Sequence, residues 1–187
     1  MVNRLFGMRT ILRPAAGSAL RRRLAAAPGA AVIGFFKGIA SDDDFAVFLD
    51  AAERLAADPP APFHFAVCGR GGASEVMARG LAGQATLLER PSDRVSLLRQ
   101  MDLVVLPSRQ ATVEALTAGI PVLAADCSGL RDLLCGTPAR TFAAGDAAAL
   151  SHGLHLALTR PWTAAAQAYA PAAQARFGRM RSVRAAA

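Results

Sequence analysis

Apolar residues in this chain fall into two alternating kinds of stretch. Short, largely apolar runs occur at Ala31 to Phe36, Phe63 to Cys68, Gln84 to Glu89, Leu103 to Leu106, Pro121 to Ala125 and, more weakly, Ala139 to Phe142. Between them apolar positions recur at helical spacing, as in Phe45, Phe48, Leu49, Ala52, Leu55 and Ala56, or Val95, Leu98 and Met101. Further helices are predicted up to about Arg79, over Gly129 to Leu134 and over Asp146 to Leu158, with a short one over residues 14–27 closed by Pro28-Gly29. Ser41 with Asp44 forms a capping box for the helix that follows the first strand, and the acidic triplet Asp42 to Asp44 suits its positive amino end. Strands without polar alternation, joined by helices, run parallel and are buried on both faces. The predicted class is therefore α/β, a doubly wound Rossmann-like parallel sheet of about six strands.

The stretch Met101 to Ala125 shows the plan most clearly. An apolar run stops at Pro107-Ser108, a short helical pattern carries one acid, Glu114, and Gly119 and Pro121 punctuate before the next apolar run. Ligands of such sheets sit where the strands' carboxyl ends meet helix amino ends, which puts a site around Pro107 to Glu114. Thr112 and Val113 are predicted at a helix amino end, where unpaired amides favour phosphate. The same rule selects Lys37-Gly38 after the first strand and Gly69-Arg70-Gly71-Gly72 after the second. Lys37 is the sole lysine among 21 basic residues, which points to a demand for a compact ammonium donor. A solvated helix acid remains an open reading for Glu114.

Gly69-Arg70-Gly71 after a strand, with Glu89 about 20 residues further on, also mimics a dinucleotide-binding fingerprint. Ser74 stands where its third glycine belongs, and the turn follows the second strand. An NAD-dependent oxidoreductase is thus an alternative, as is a turn serving packing alone. His64 is read as a hydrogen-bonded core or edge residue, and His152 and His155 as a surface pair with no metal.

Composition narrows the setting. The formal charge of +7 is uneven, because residues 1–41 hold Arg4, Arg9, Arg13, Arg21, Arg22, Arg23 and Lys37 and no acid. Such a leader is read as a solvated linker or as a peripheral contact with an anionic membrane face, and no nucleic-acid partner is expected. Cys68, Cys127 and Cys135 form neither a disulfide framework nor a zinc template, so a cytoplasmic setting is expected. No apolar run is long enough for a spanning helix.

The ordered series carries a resemblance. D-L-V-V-L-P-S followed by V-E-A-L-T-A-G-I-P-V-L-A, with Gly34 to Gly38, F-A-V-C-G-R-G-G, C-S-G-L-R-D-L-L and G-D-A-A-A-L around it, resembles the donor-binding half of the retaining, metal-independent glycosyltransferases built from two facing Rossmann-like domains, the GT-B type. The likeness runs from Leu12 to Arg160. It implies that a nucleotide-diphosphate sugar is the donor substrate, with no further cofactor, and that Lys37 is the catalytic candidate, neutralising the leaving diphosphate. It further implies donor contacts from Gly34, Lys37, Gly38, Gly69, Arg70, Gly71, Arg90, Pro91, Pro107, Ser108, Thr112, Val113 and Glu114. The family's arginine before the lysine is Phe35 here, and its first glutamate is Leu106. Glu114 matches the second glutamate, which grips the ribose.

The expected organisation is a basic leader or interdomain linker over residues 1–29, a nucleotide-sugar-binding Rossmann-like domain over 30–160 and a C-terminal helix and tail over 161–187. The resemblance places the start of the chain where an acceptor-binding domain would end, so that domain is expected to be missing or separate and transfer by the chain alone is not expected. The aromatic tail residues Trp162, Tyr169 and Phe177 would then lack a landing site, and a bare apolar face is expected at the strands' carboxyl ends near Lys37 and Pro107 to Glu114, with self-association; a compact tail folded against its own domain is the competing outcome. A non-catalytic nucleotide or nucleotide-sugar binding module stays open beside the transferase.

Overall fold

The computed structural model describes residues 24, 26–36, 42–88, 94–105 and 109–184, without the side chains of 42, 94, 95 and 179–184. The leader's arginines, Ser41 of the capping box, and Lys37, Gly38, Arg90, Pro91, Leu106, Pro107 and Ser108 lie outside the described residues. Strands and helices alternate as β1 (Ala31–Phe36), α1 (Asp42–Ala57), β2 (Phe63–Cys68), α2 (Ala73–Ala78), β3 (Ala85–Leu88), α3 (Arg94–Leu98), β4 (Leu103–Val105), α4 (Arg109–Thr117), β5 (Val122–Asp126), α5 (Ser128–Leu134), β6 (Arg140–Ala143), α6 (Ala147–Thr159) and α7 (Thr163–Arg184). The strands form one six-stranded sheet in the order β3-β2-β1-β4-β5-β6. Every neighbouring pair is parallel.

Side-chain alternation divides each strand between two cores. Ile33, Phe35, Phe65, Val67, Val105 and Leu123 join α1 and α6 in one cluster. Val32, Phe36, Ala66, Val104, Val122 and Ala124 join Leu98, Leu116, Leu133 and Phe177 in the other. Covering both faces is what lets these strands be apolar at successive positions. Phe35 stacks on Phe48 of α1 with centroids 4.4 Å apart, and Phe48 meets Phe65 edge-on at 5.1 Å. The predicted core face of α1 is buried at Phe45, Phe48, Leu49, Ala52 and Leu55. Asp146 caps α6, accepting the Ala149 N–H at 2.9 Å.

The tail departs from expectation. α7 packs along α4 and buries Ala166, Ala173 and Phe177, while Trp162 just before it is also buried. Gln174 Nε2 donates to the Thr117 carbonyl at 3.0 Å, and Arg176 donates to the carbonyls of Cys135 (2.8 Å) and Asp132 (3.1 Å). These bonds occupy carbonyls at the carboxyl ends of α4 and α5, which lack partners within their own helices. The expectation of an unlanded tail is therefore corrected: its aromatic and small residues match a groove on its own domain. Among the described residues the exposed large hydrophobic side chain is Met77, while Lys37, Pro107 and Ser108, beside which a bare apolar face is expected, lie outside them.

Candidate functional site

The strand order locates the crevice. β1 pairs with β2 on one side and β4 on the other, with Gly34 opposite Val104 and Phe35 opposite Val105. The chain winds one way from β1 through β2 to β3 and the other way from β4 through β5 to β6, so the topological switch point lies between β1 and β4. Asp102 secures this junction at the opposite edge: its backbone N–H donates to the Val32 carbonyl and its Oδ2 accepts the Val32 N–H, both at 2.8 Å. Because all strands are parallel, Phe36, Cys68, Leu88, Val105 and Asp126 end on one edge. Lys37 follows Phe36 directly in sequence, and Pro107 and Ser108 lie between Val105 and α4.

Gly34 sits inside β1 and has a packing explanation. A Cβ there would lie 2.0 Å from the Met101 sulfur, so the missing side chain makes room for Met101 as the chain enters β4. Phe35 is fully buried in the aromatic cluster and faces α1. Among the described residues, the end of β1 carries no charged side chain.

The turn after β2 is built for its glycines. Gly69, Gly71 and Gly72 have φ of 143°, 70° and 91°, which side chains rarely adopt, and Gly69 N–H donates to the Leu88 carbonyl at 3.1 Å. Arg70 projects from it, exposed. The helix that follows has only six residues, and β2 lies one strand away from the switch point. The fingerprint resemblance therefore fails on placement: a dinucleotide turn belongs on the strand at the switch point, before a helix long enough to face the pyrophosphate.

α4 begins at Arg109. Thr112 is its fourth residue, fully buried in the first turn, and Val113, half-buried, follows it. Glu114 is half-buried, with Gln110 Nε2 donating to its Oε1 at 3.0 Å. Arg109 Nη1 donates to the Gly129 carbonyl at 3.0 Å, tying the start of α4 to that of α5. Beside it, at the end of β5, Arg131 Nε pairs with Asp126 Oδ1 at 3.1 Å, which raises the Arg131 pKa. Arg109, Asp126 and Arg131 were not singled out from the sequence. Their only signal was position within a few residues of a strand's carboxyl end.

Away from this edge, His64 is buried and shares a 2.9 Å hydrogen bond between its Nε2 and Thr86 Oγ1, and burial lowers its pKa. Thr86 Oγ1 in turn donates to the Leu24 carbonyl at 3.2 Å, so this polar pair anchors the segment leading into β1. His152 and His155 are exposed and line an open groove with Arg54, Asp58 and Ser151, where α1 ends at the opposite edge of the sheet. Among the described residues no group of His, Cys, Asp and Glu side chains could hold a metal ion. Among the same residues no helix is long and apolar enough to cross a membrane.

Residues 30–160, the whole sheet and the six helices packed between and over its strands, match the family described as Glycosyl transferases group 1. The chain belongs to the group 1 glycosyl transferases. A search of curated protein sequences finds no significant match. Among solved structures the group 1 domain is similar to Anabaena HepE in complex with UDP and glucose, with TM-score 0.71, 20% identity and coverage of 90% of this chain and 51% of that one. HepE in complex with UDP-glucose gives TM-score 0.70 and 24% identity over 84% of this chain and 47% of that one. The C-terminal domain of a group 1 family protein, LpcC of Francisella tularensis, is matched over 97% of its length and 91% of this chain, with TM-score 0.65 and 14% identity. The chain therefore spans about half the length of the HepE chains and 97% of the LpcC C-terminal domain.

Proposed function

We propose that this group 1 domain binds the donor, a nucleoside diphosphate sugar, at the carboxyl edge of the sheet between β1 and β4, and serves as the donor half of a glycosyltransferase. The observation that carries the reading is the coincidence of the family match over residues 30–160 with a strand order that puts the switch point between β1 and β4. HepE, whose fold the chain shares, was solved with UDP and with UDP-glucose. In this reading Lys37 is the catalytic cation, meeting negative charge that builds on the diphosphate as the glycosidic bond breaks. Gly38, the Gly69-Arg70-Gly71 turn, Arg90 and Pro91 border the donor, with Gly34 shaping the strand beneath. Pro107 and Ser108 line the start of α4, with Thr112 and Val113 supporting it from within. Glu114, on the next turn, accepts from the ribose hydroxyls. In this reading the donor-binding unit is 30–160, preceded by 1–29 and followed by 161–187, the segment that contains α7 (Thr163–Arg184).

The experiment is calorimetric titration of the full chain with UDP, for the wild type and Lys37→Ala. A charge-assisted contact is worth about 1.5–3 kcal/mol, so Lys37→Ala is expected to weaken binding roughly tenfold or more. Absence of UDP binding by a folded wild-type chain would refute the donor reading. Equal affinities for the two proteins would remove Lys37 from the site.

A further inference from the structure

The segment ahead of β1 is fastened to the sheet by a polar contact that the donor reading does not use. Leu24 lies before residues 30–160, the part that matches the family, yet it is 1% exposed and packs in the same cluster as Val32 and Ala66. Its carbonyl accepts a hydrogen bond from Thr86 Oγ1 at 3.2 Å, and the same hydroxyl oxygen lies 2.9 Å from His64 Nε2. A hydroxyl has one proton to donate, and Thr86 donates it to Leu24. Oγ1 must then accept from His64, which places the proton of the neutral ring on Nε2. A single imidazole thus supports, through one hydroxyl, the entry of the chain into the domain.

The arrangement suits a neutral ring. His64 is buried, in register with Val32 of β1, and strand alternation puts Ala66, Gln84 and Thr86 on its face of the sheet. None of these neighbours is titratable. Among the described residues no charged group from the strands or from the helices over that face contributes to its lowered pKa, whose cause is burial alone. Among the same residues its Nδ1 has no hydrogen-bond partner, so a second proton would bring a buried charge together with an unanswered N–H. Admitting water relieves both. β2 is held between β1 and β3, whereas residues 24 and 26–30 belong to no strand or helix, so this segment can lift without breaking the sheet.

We infer that His64 and Thr86 form a proton-sensitive latch on the segment leading into β1, closed while the ring is neutral and opened by its protonation. With the segment lifted, the ring meets water and takes a proton at its ordinary value of 6.5; the closed latch holds that value lower. The latch is therefore fully effective above 6.5 and loosens as pH falls through the lowered value. It is independent of the donor reading, since His64 and Thr86 are each the second residue of their strands, away from the carboxyl edge.

The test is hydrogen exchange of the full chain, read by mass spectrometry at about pH 7.5 and about pH 5 and corrected for the intrinsic effect of pH on exchange. The segment 24–30, where the Ala30 N–H donates to the Ala27 carbonyl at 3.0 Å, is compared with β5 as the gauge of global unfolding. In the wild type the segment is expected to exchange several-fold faster at the lower pH, up to about thirtyfold, while β5 is unchanged. His64→Gln keeps a donor without titrating and should exchange alike at both pH values, and His155→Gln, at an exposed histidine, should match the wild type. Thr86→Val should exchange roughly fivefold faster already at the higher pH. Equal corrected exchange in the wild type at both pH values, acceleration that persists in His64→Gln, or acceleration shared equally by β5 overturns the inference. A folded Thr86→Val chain that matches the wild type at the higher pH does so too. The wild-type comparison of segment with β5 decides the case should a variant fail to fold.

Discussion

Replacing Phe177 by alanine probes the one large feature of the fold that the sequence pattern misassigned. Phe177 is 2% exposed and belongs to the core cluster that holds Leu116, Leu133, Leu134 and Ala173. Truncating a fully buried phenylalanine costs about 3–5 kcal/mol, from the lost transfer energy and the cavity left behind. Against the roughly 5–15 kcal/mol that hold a domain folded, that is a large fraction. Trp162, the only tryptophan, is buried at the other end of the same helix and lies beneath Arg140, whose guanidinium carbon is 4.2 Å from the ring centroid. Its fluorescence therefore reports loss of the folded core in a urea titration. With a slope of about 2 kcal/mol per molar urea, the midpoint should fall by roughly 2 M. Met77→Ala, at a side chain 66% exposed on α2, should leave the midpoint in place. Trypsin should also cut at Arg176 sooner in Phe177→Ala than in the wild type, since its bonds to the Cys135 and Asp132 carbonyls depend on the same docking. A midpoint shift under roughly 0.3 M at unchanged slope would refute the docked helix.

Gly34→Ala should destabilise the chain by about 1–3 kcal/mol, because its Cβ would lie 2.0 Å from the Met101 sulfur in a packed core; a double-mutant cycle with Met101→Ala should recover part of the loss, and strict additivity would contradict the close approach. His64 has its pKa lowered from 6.5 by burial, so the folded state takes up its proton less readily than the unfolded one. The stability this preserves is present above 6.5 and is lost as pH falls through the lowered value, and His64→Gln should flatten melting temperature against pH below 6.5.

Much of the fold was legible because its signals are local. Buried parallel strands read as contiguous apolar runs, so β1 and β2 begin and end where the pattern placed them. The aromatic face of α1 follows from spacing alone, and Asp146 marks the start of α6 by its own side chain. The candidate site was legible in the same way as far as loops following strands: Lys37, the Gly69 turn and the stretch before Glu114 all follow carboxyl ends of strands in one parallel sheet. The order of those strands was not legible, because β1 meets β4 across 70 residues of chain, as the bond from Val32 N–H to Asp102 shows. That order decides which strand ends form the crevice, and it removes the dinucleotide reading of the Gly69 turn.

Side-chain partnerships at long range belong to the tertiary structure for the same reason. The hydrogen bonds of Thr86 with the His64 ring and the Leu24 carbonyl, the room that Gly34 leaves for Met101 and the tether of Arg109 to Gly129 join residues whose separation in sequence carries no pattern. The tail shows the physical limit most plainly. An alanine-rich helix has a weak apolar contrast between its faces, so spacing can predict that Thr163 onward is helical but not which surface it covers. Ala166, Ala173 and Phe177 acquire a buried face only because α4 and α5 present a groove and carbonyls that Gln174 and Arg176 complete. The sequence by itself determined the elements and their alternation, since these depend on neighbours along the chain. The position of the crevice and the docking of the tail were decided by packing, which depends on neighbours in space.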